Sequence, residues 1–259
     1  MLGRVRSLYL ILNLKTLVVV AIAIVSTLVC RRYGLSADFP IAVVMTAVVF
    51  PIVFSINAAY QRRESALAEY ANMKAHGQVI FLAARDWLEE RDDALLDDLR
   101  QRLLALFGAT RDLLTSSHSD MREREKKVYD GFSELSLFIR NDLRGNGLAS
   151  GEVSRCNQYL SKTLISFETI KHIYQYRTPI TLRTFADFFL IVLPLLYGPY
   201  FAFLGQDYPW SLAYIPPTIF ALVLVTLDNI QAHLENPFDQ IGEDDIQMDV
   251  EGFVSRLHA

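Results

Sequence analysis

Few residues in this sequence are placed to do chemistry, and those few are charged or polar groups set inside or beside long apolar runs. Asp187 stands among Phe188, Phe189, Leu190 and Ile191. An acid in such a run marks an ion path unless something neutralises it. Arg183, four residues earlier, can pair with it on the same helix face, so a pore charge and a structural charge both fit. Glu243, Asp244 and Asp245 are a second candidate. Adjacent carboxylates bind calcium when backbone carbonyls complete the oxygen shell, but this spacing is not that of an EF-hand. A solvated acidic turn explains them without a metal. Thr46, Phe50 and Phe54 are a third candidate, four residues apart and therefore on one helix face. Pro51 lies among them, has no N–H, and frees the carbonyl of Ala47. Packing of the two rings against a neighbouring helix or lipid accounts for the spacing by itself.

Enzyme chemistry finds little support. His76, His118, His172, His233 and His258 are not spaced as metal pairs, and no HExxH, GxSxG, P-loop or GxGxxG stretch occurs. Cys30 and Cys156 form no CxxC or zinc pattern. Cys30 closes an apolar run and Cys156 lies deep in a charged one, so a bilayer is expected to separate them and no disulfide to form. The reading is a protein that is not an enzyme and requires no cofactor. The net charge is −4 and no basic face stands out, which argues against nucleic acid as a partner.

The elements that must position these residues follow from where charge is missing. The chain is 52% hydrophobic, and charged residues are sparse in four runs of about 20 residues, the length a helix needs to cross a bilayer. These runs cover about 8–30, 40–59, 184–204 and 212–230. The first is not a signal peptide, because it ends on Cys30-Arg31-Arg32 rather than at a small-residue cleavage site. Near the membrane, Arg4, Arg6, Arg62, Arg63, Lys74, Lys171, Arg177 and Arg183 lie on one side and Arg31 and Arg32 on the other. That bias puts both termini and the middle of the chain in the cytoplasm; in a bacterium the membrane is the inner one. The expected fold is an all-α integral membrane protein: four transmembrane helices in two hairpins, plus an inserted cytoplasmic helical bundle. Its parts are a first hairpin over 1–60, the helical domain over 61–183, a second hairpin over 184–230, and an acidic cytoplasmic tail over 231–259.

The middle domain reads as helix almost throughout. Val128, Phe132, Leu135 and Ile139 recur at helical spacing, as do Val153, Cys156, Leu160, Leu164 and Phe167. Ser119-Asp120 offers a helix start, and residues 144–151, with three glycines, a break between helices. Charge runs such as Arg122–Lys127 read as a wet face. No linker separates Tyr60 from the helix that follows, so membrane and middle helices are expected to be continuous.

With these parts in place, the sequence resembles the bestrophin family. The resemblance rests on Glu235-Asn236-Pro237-Phe238 followed by Asp245-Ile246-Gln247-Met248-Asp249, on Arg177-Thr178-Pro179-Ile180 ahead of the third apolar run, and on Phe54-Ser55-Ile56-Asn57 to Tyr60 leaving the second. The order of hairpin, helices, hairpin and acidic turn agrees. Arg62-Arg63-Glu64 stands where the family usually has an aromatic pair after an arginine, and Ile56 replaces a usual basic residue, which makes this a divergent member. The resemblance implies a homopentamer around one pore, with a hydrophobic neck at Thr46, Phe50 and Phe54 and a cytoplasmic aperture at Ile180. The implied partners are further copies of the chain, the bilayer, and a permeant ion, chloride or another monovalent ion. Animal members bind calcium after the Asn-Pro-Phe turn; the bacterial members this chain resembles more lack that site. A non-conducting, membrane-anchored helical scaffold or sensor is the alternative.

Overall fold

The computed structural model describes residues 12–116, 120–176, 179–210, 212–240 and 244–257. Among them the regular structure is helical, and four stretches are long and apolar enough to cross a membrane, within Leu14–Arg32, Ile41–Asp86, the successive helices Ser150–Gln175 and Ile180–Leu196, and Ile215–Leu234. The chain divides into two compact units. One holds the two apolar hairpins, from the N-terminal part to Arg62 and from Arg177 to Asn236; the other holds Arg63–Tyr176 and most of the C-terminal residues.

In the apolar unit, α1 (Leu14–Arg32) starts at Asn13, whose side chain accepts from the Thr16 N–H while the Thr16 hydroxyl accepts from the Asn13 N–H. This reciprocal pair meets two of the donors that a helix start leaves open. Helix α2 (Ile41–Asp86) runs unbroken past Pro51 and on into the other unit, as the missing linker at Tyr60 predicts. The third apolar run departs from expectation. It is not one helix over 184–204 but two pieces, which we label by chain order as α6 (Ile180–Leu196) and α7 (Gly198–Leu204). The cause is Pro199, which has no N–H to give the carbonyl of Leu195. That carbonyl accepts instead from the Ser26 hydroxyl of α1, at 2.8 Å. The approach is so close that a Cβ on Gly198 would sit 2.1 Å from Ser26 Oγ. The last of these helices, α8 (Ile215–Leu234), opens with Pro216 and Pro217 in its first turn, where a missing N–H costs nothing. Val19, Ala23, Val48, Ile52, Leu190, Leu193, Ala221 and Leu224 form the core between these helices.

The second unit is a bundle built from the later part of α2 with α3 (Asp93–Thr115), α4 (Met121–Phe138), α5 (Ser150–Gln175) and the short α9 (Val250–Ser255). Asp92 caps α3 through bonds from Ala94 and Leu95 N–H. Helix α4 starts at Met121, where Ser119-Asp120 predicts it; Asp120 makes no side-chain cap bond, and Ser119 lies outside the described residues. A π-helical turn over Ile139–Leu143 follows α4, and the chain reverses near Gly147 at φ 95. Phe81, Leu99, Leu103, Phe107, Phe138 and Phe167 are fully buried, and burial of Val128, Phe132, Leu135, Ile139 and Cys156 follows the helical spacing.

The C-terminal segment carries its acids on a stretch whose apolar residues pack into the bundle. Ile246, Met248, Val250, Phe253 and Leu257 are buried in the bundle core. Phe253 stacks on Phe107 at 4.9 Å, Glu251 pairs with Arg111 at 2.7 Å, and the Leu257 carbonyl accepts from Arg100 Nε at 2.9 Å. The acids between the apolar residues stay at the surface, so the segment is a strap with a wet edge.

Candidate pore-lining face and membrane charge cluster

Helix α2 is two-faced within the apolar unit. Val48, Ile52, Ser55 and Ala59 are buried, at spacings of four, three and four residues. Phe50 and Phe54 are 55% and 64% exposed, and they fall on the side opposite Val48 and Ile52. Their rings lie 5.8 Å apart, one turn above the other. Thr46, the next residue on that face, is exposed, and its hydroxyl donates to the Ala42 carbonyl at 2.7 Å. A hydroxyl satisfied by its own helix does not need water. The structure therefore removes one explanation for the spacing of these residues: the two phenylalanines do not pack among the chain's own helices. Ile180, the first residue of α6, is 82% exposed. Arg177 and Thr178 of the same motif lie outside the described residues.

The membrane charges are paired, but not with each other. Asp187 Oδ1 accepts from Lys15 Nζ at 2.8 Å, and the same ammonium donates to Asp228 Oδ2 at 2.6 Å. Arg183 instead pairs with Glu235 at 2.8 Å. The local i,i+4 pair expected between Arg183 and Asp187 gives way to bonds across helices. Lys15 sits in the first turn of α1, where the helix dipole disfavours a cation; the two carboxylates from α6 and α8 offset that. Asn229 extends the cluster, accepting from Asn13 and donating to Thr16, both at 3.2 Å. The cluster ties α1, α6 and α8 together where an isolated charge is costly. Sequence reasoning missed Lys15, Asp228 and Asn229, although a lysine and an acid inside drawn apolar runs were a visible signal.

Among the described residues no group of three or more His, Cys, Asp or Glu is arranged to hold a metal. Glu243 lies outside them, Asp244 is exposed and Asp245 half-buried. Cys30 and Cys156 are free and buried. Burial, with Glu152 adding to it, pushes the Cys156 thiol up to about 11, so it stays protonated and unreactive. In the bundle, Lys171 is almost fully buried and bonds Glu125 at 2.9 Å, Glu168 at 2.7 Å and the Tyr129 hydroxyl at 2.6 Å. Burial works against its charge, but the bonds to Glu168, Tyr129 and Glu125 outweigh it and hold its pKa above the ordinary lysine value. Glu125 is thus a partner within the charge run that reads as a wet face.

No protein-family model and no curated protein matches the sequence. Solved structures do. A bacterial bestrophin homolog from Klebsiella pneumoniae aligns at TM-score 0.72 and 13% identity, over 94% of this chain and 94% of that one. A substitution variant of that homolog aligns at TM-score 0.71 and 14% identity, over 94% and 96%. A structure described as a membrane protein aligns at TM-score 0.72 and 14% identity, over 94% of each chain. The chain has the bestrophin fold, the fold that the resemblance implies.

Proposed function

We propose that the chain is one subunit of a bestrophin-like homopentameric channel that conducts ions passively through a neck formed by α2. The observation that carries this reading is the exposed Phe50–Phe54 pair on the face of α2 turned away from its own subunit's core. In a ring of identical subunits each ring-facing residue repeats once per subunit, and five copies of Thr46, Phe50 and Phe54 make an apolar constriction. Ile180 forms the cytoplasmic aperture in this reading, a role the family resemblance implies and its exposure is compatible with. The Lys15 cluster and the Arg183–Glu235 pair are structural in this reading, since each charge already has its partner. Both termini and the bundle face the cytoplasm, and the permeant species is chloride or another monovalent ion. The site is not an enzyme's, and calcium at Glu243, Asp244 and Asp245 is not required for conduction.

The test is reconstitution of the purified protein in liposomes, with an ion-flux assay and a mass measurement on the same sample. A pentamer that passes a monovalent ion down its gradient is expected. A stable monomer or dimer in detergent, or an intact ring with no flux, rejects the channel, the latter in favour of a scaffold or sensor.

A further inference from the structure

In the helical bundle, α3 and α4 form a pocket of about 300 Å³ that the pore reading does not use. Helix α3 contributes Ala105, Gly108, Ala109 and Asp112 to its lining, and α4 contributes Arg124 and Lys127. The volume is at the lower end of the range for small-molecule sites, about 300–1,000 Å³, which suits an acid group carried on a few carbons. We propose that this pocket binds a small organic anion, whose carboxylate or phosphate group is held by Arg124 and Lys127. The inference requires only the folded bundle and stands apart from the channel reading.

Three observations point to that occupant. First, Arg124 has no counter-charge among the described residues. Its Nε is buried with no hydrogen-bond partner, and its one bond, from Nη1 to the Asp112 carbonyl, is long at 3.4 Å. Carboxylate and phosphate oxygens are the acceptors that match a guanidinium fork. Second, the acids nearest Arg124 in sequence are engaged elsewhere. Glu125 bonds Lys171 at 2.9 Å. Glu123 pairs with Lys127 at 3.1 Å, but both side chains are more than 60% exposed, and a pair so exposed is worth little. The pocket thus holds two bases against one acid, Asp112, and a single acid group on a ligand balances it. Third, Gly108 stands on the side of α3 away from the buried Leu99, Leu103 and Leu106. Glycine in a helix interior is destabilising, and nothing in the packing requires it here: its φ is not positive, and a Cβ would meet no atom within 4 Å. The missing side chain leaves the pocket open.

The experiment uses the purified full-length protein in a neutral detergent. Glycerate, glycerol 3-phosphate and uncharged glycerol are titrated in, with ionic strength held constant by sodium chloride. Binding is read by calorimetry alongside the unfolding midpoint. Both acids are expected to bind and to raise the midpoint, and glycerol to do neither. Arg124→Gln should weaken the acids about tenfold, the loss of a charge-assisted hydrogen bond. Lys127→Gln should weaken them about threefold, as befits an exposed charge. Gly108→Leu should fill the pocket and abolish binding, with a ligand-free midpoint no lower than the parent's, since leucine is the better helix former. Binding of one acid alone supports the proposal and identifies the acid group. Acids that bind no better than glycerol overturn it, as does an Arg124→Gln or a Gly108→Leu protein that binds like the parent. If Arg124→Gln does not fold, Lys127→Gln decides, because its side chain is 64% exposed.

Discussion

Lys15 Nζ lies 2.6 Å from Asp228 Oδ2, joining the first turn of α1 to α8 across 213 positions of sequence. Asp228 has a side chain only 9% exposed, while Lys15 and Asp187 are 39% and 47% exposed. The cost of breaking the pair therefore falls on Asp228, which is left as a buried charge without its cation. Lys15→Ala is expected to destabilise the protein by about 1–3 kcal/mol, less than a fully buried pair would lose because the lysine is half in solvent. Lys15→Met with Asp228→Asn should recover part of the loss, and Asp187→Asn alone should cost less. Unfolding midpoints of the variants check the order, and a Lys15→Ala protein as stable as the parent would reject the cluster as a structural tie.

The Ser26–Leu195 contact makes a second prediction. A Cβ at Gly198 would meet Ser26 Oγ at 2.1 Å, and Cys30 Sγ and the Ser26 carbonyl carbon each at 3.1 Å, and the last of these is backbone that cannot swing aside. Gly198→Ala should therefore cost about 1–3 kcal/mol by overpacking. Ser26→Ala in the same chain relieves the first clash but leaves the Leu195 carbonyl without its donor, so the rescue should be incomplete. Yield of folded protein from detergent extracts, with midpoints, distinguishes the three variants.

These two sites show where the sequence was readable. The apolar runs and the buried faces of α4 and α5 follow from hydropathy and spacing, because a helix buries one stripe and the stripe has a period. The division of the third run into α6 and α7 does not, because hydropathy is blind to the backbone; Pro194, Gly198 and Pro199 were in view, yet the residues between them are as apolar as a helix needs. Pairing was least readable. Arg183 and Asp187 are local neighbours and sequence favours local pairs, whereas their partners, Glu235 and Lys15, are brought to them by packing alone. The C-terminal strap is hidden differently: its acids dominate the charge count, and the apolar residues interleaved with them, Ile246, Met248, Val250 and Phe253, form no continuous run for hydropathy to detect. The exposure of Phe50 and Phe54 needed the structure, since spacing gives a shared face but not which way the face turns.

The Lys171 network sets a pH dependence. At Glu168, burial raises the carboxyl's pKa, but hydrogen bonds from Lys171 and Tyr129 outweigh it and hold the group below its ordinary 4.5. A lowered carboxylate stabilises above its unfolded value and loses that contribution as pH falls through its folded one. Lys171, raised, stabilises below its unfolded 10.5 and loses that only as pH rises through its folded value. The network is thus intact at neutral pH. Lys171→Met should cost about 1–3 kcal/mol there, because Glu125 and Glu168 are left facing each other without a cation. The gap between parent and variant should shrink as pH falls below about 4.5, where protonation removes the repulsion. Midpoints at pH 7 and pH 4 test this; a constant gap would mean the loss is packing rather than charge.

Calcium is a separate expectation. A solvated acidic turn explains Glu243, Asp244 and Asp245 without a metal, so millimolar calcium should leave the unfolding midpoint unchanged, and Asp244→Ala should behave like the parent. A calcium-dependent rise in midpoint that Asp244→Ala abolishes would establish a site, since a ligand that binds only the folded state stabilises it.

The neck gives the decisive prediction, because the two readings of Phe50 and Phe54 differ in sign. In a single subunit both rings are more than half exposed, so truncation leaves no internal cavity of the kind that costs about 3–5 kcal/mol for a buried phenylalanine. If the rings meet around a symmetry axis, they offer an ion no replacement for its hydration shell, and a narrow apolar ring can dewet and block conduction. Phe50→Ala, Phe54→Ala and the pair should therefore raise ion flux while the oligomer still assembles. Thr46→Ala should do less, because its hydroxyl is already turned to the Ala42 carbonyl. Ile180→Ala should alter selectivity or rectification more than open probability, because an aperture in series after the neck acts on ions that have already passed it. If instead the rings pack against a neighbouring copy away from the axis, each truncation loosens that contact and lowers assembly and flux together. Flux per assembled oligomer separates the two, and a fall in that quantity for both phenylalanine variants would refute the neck.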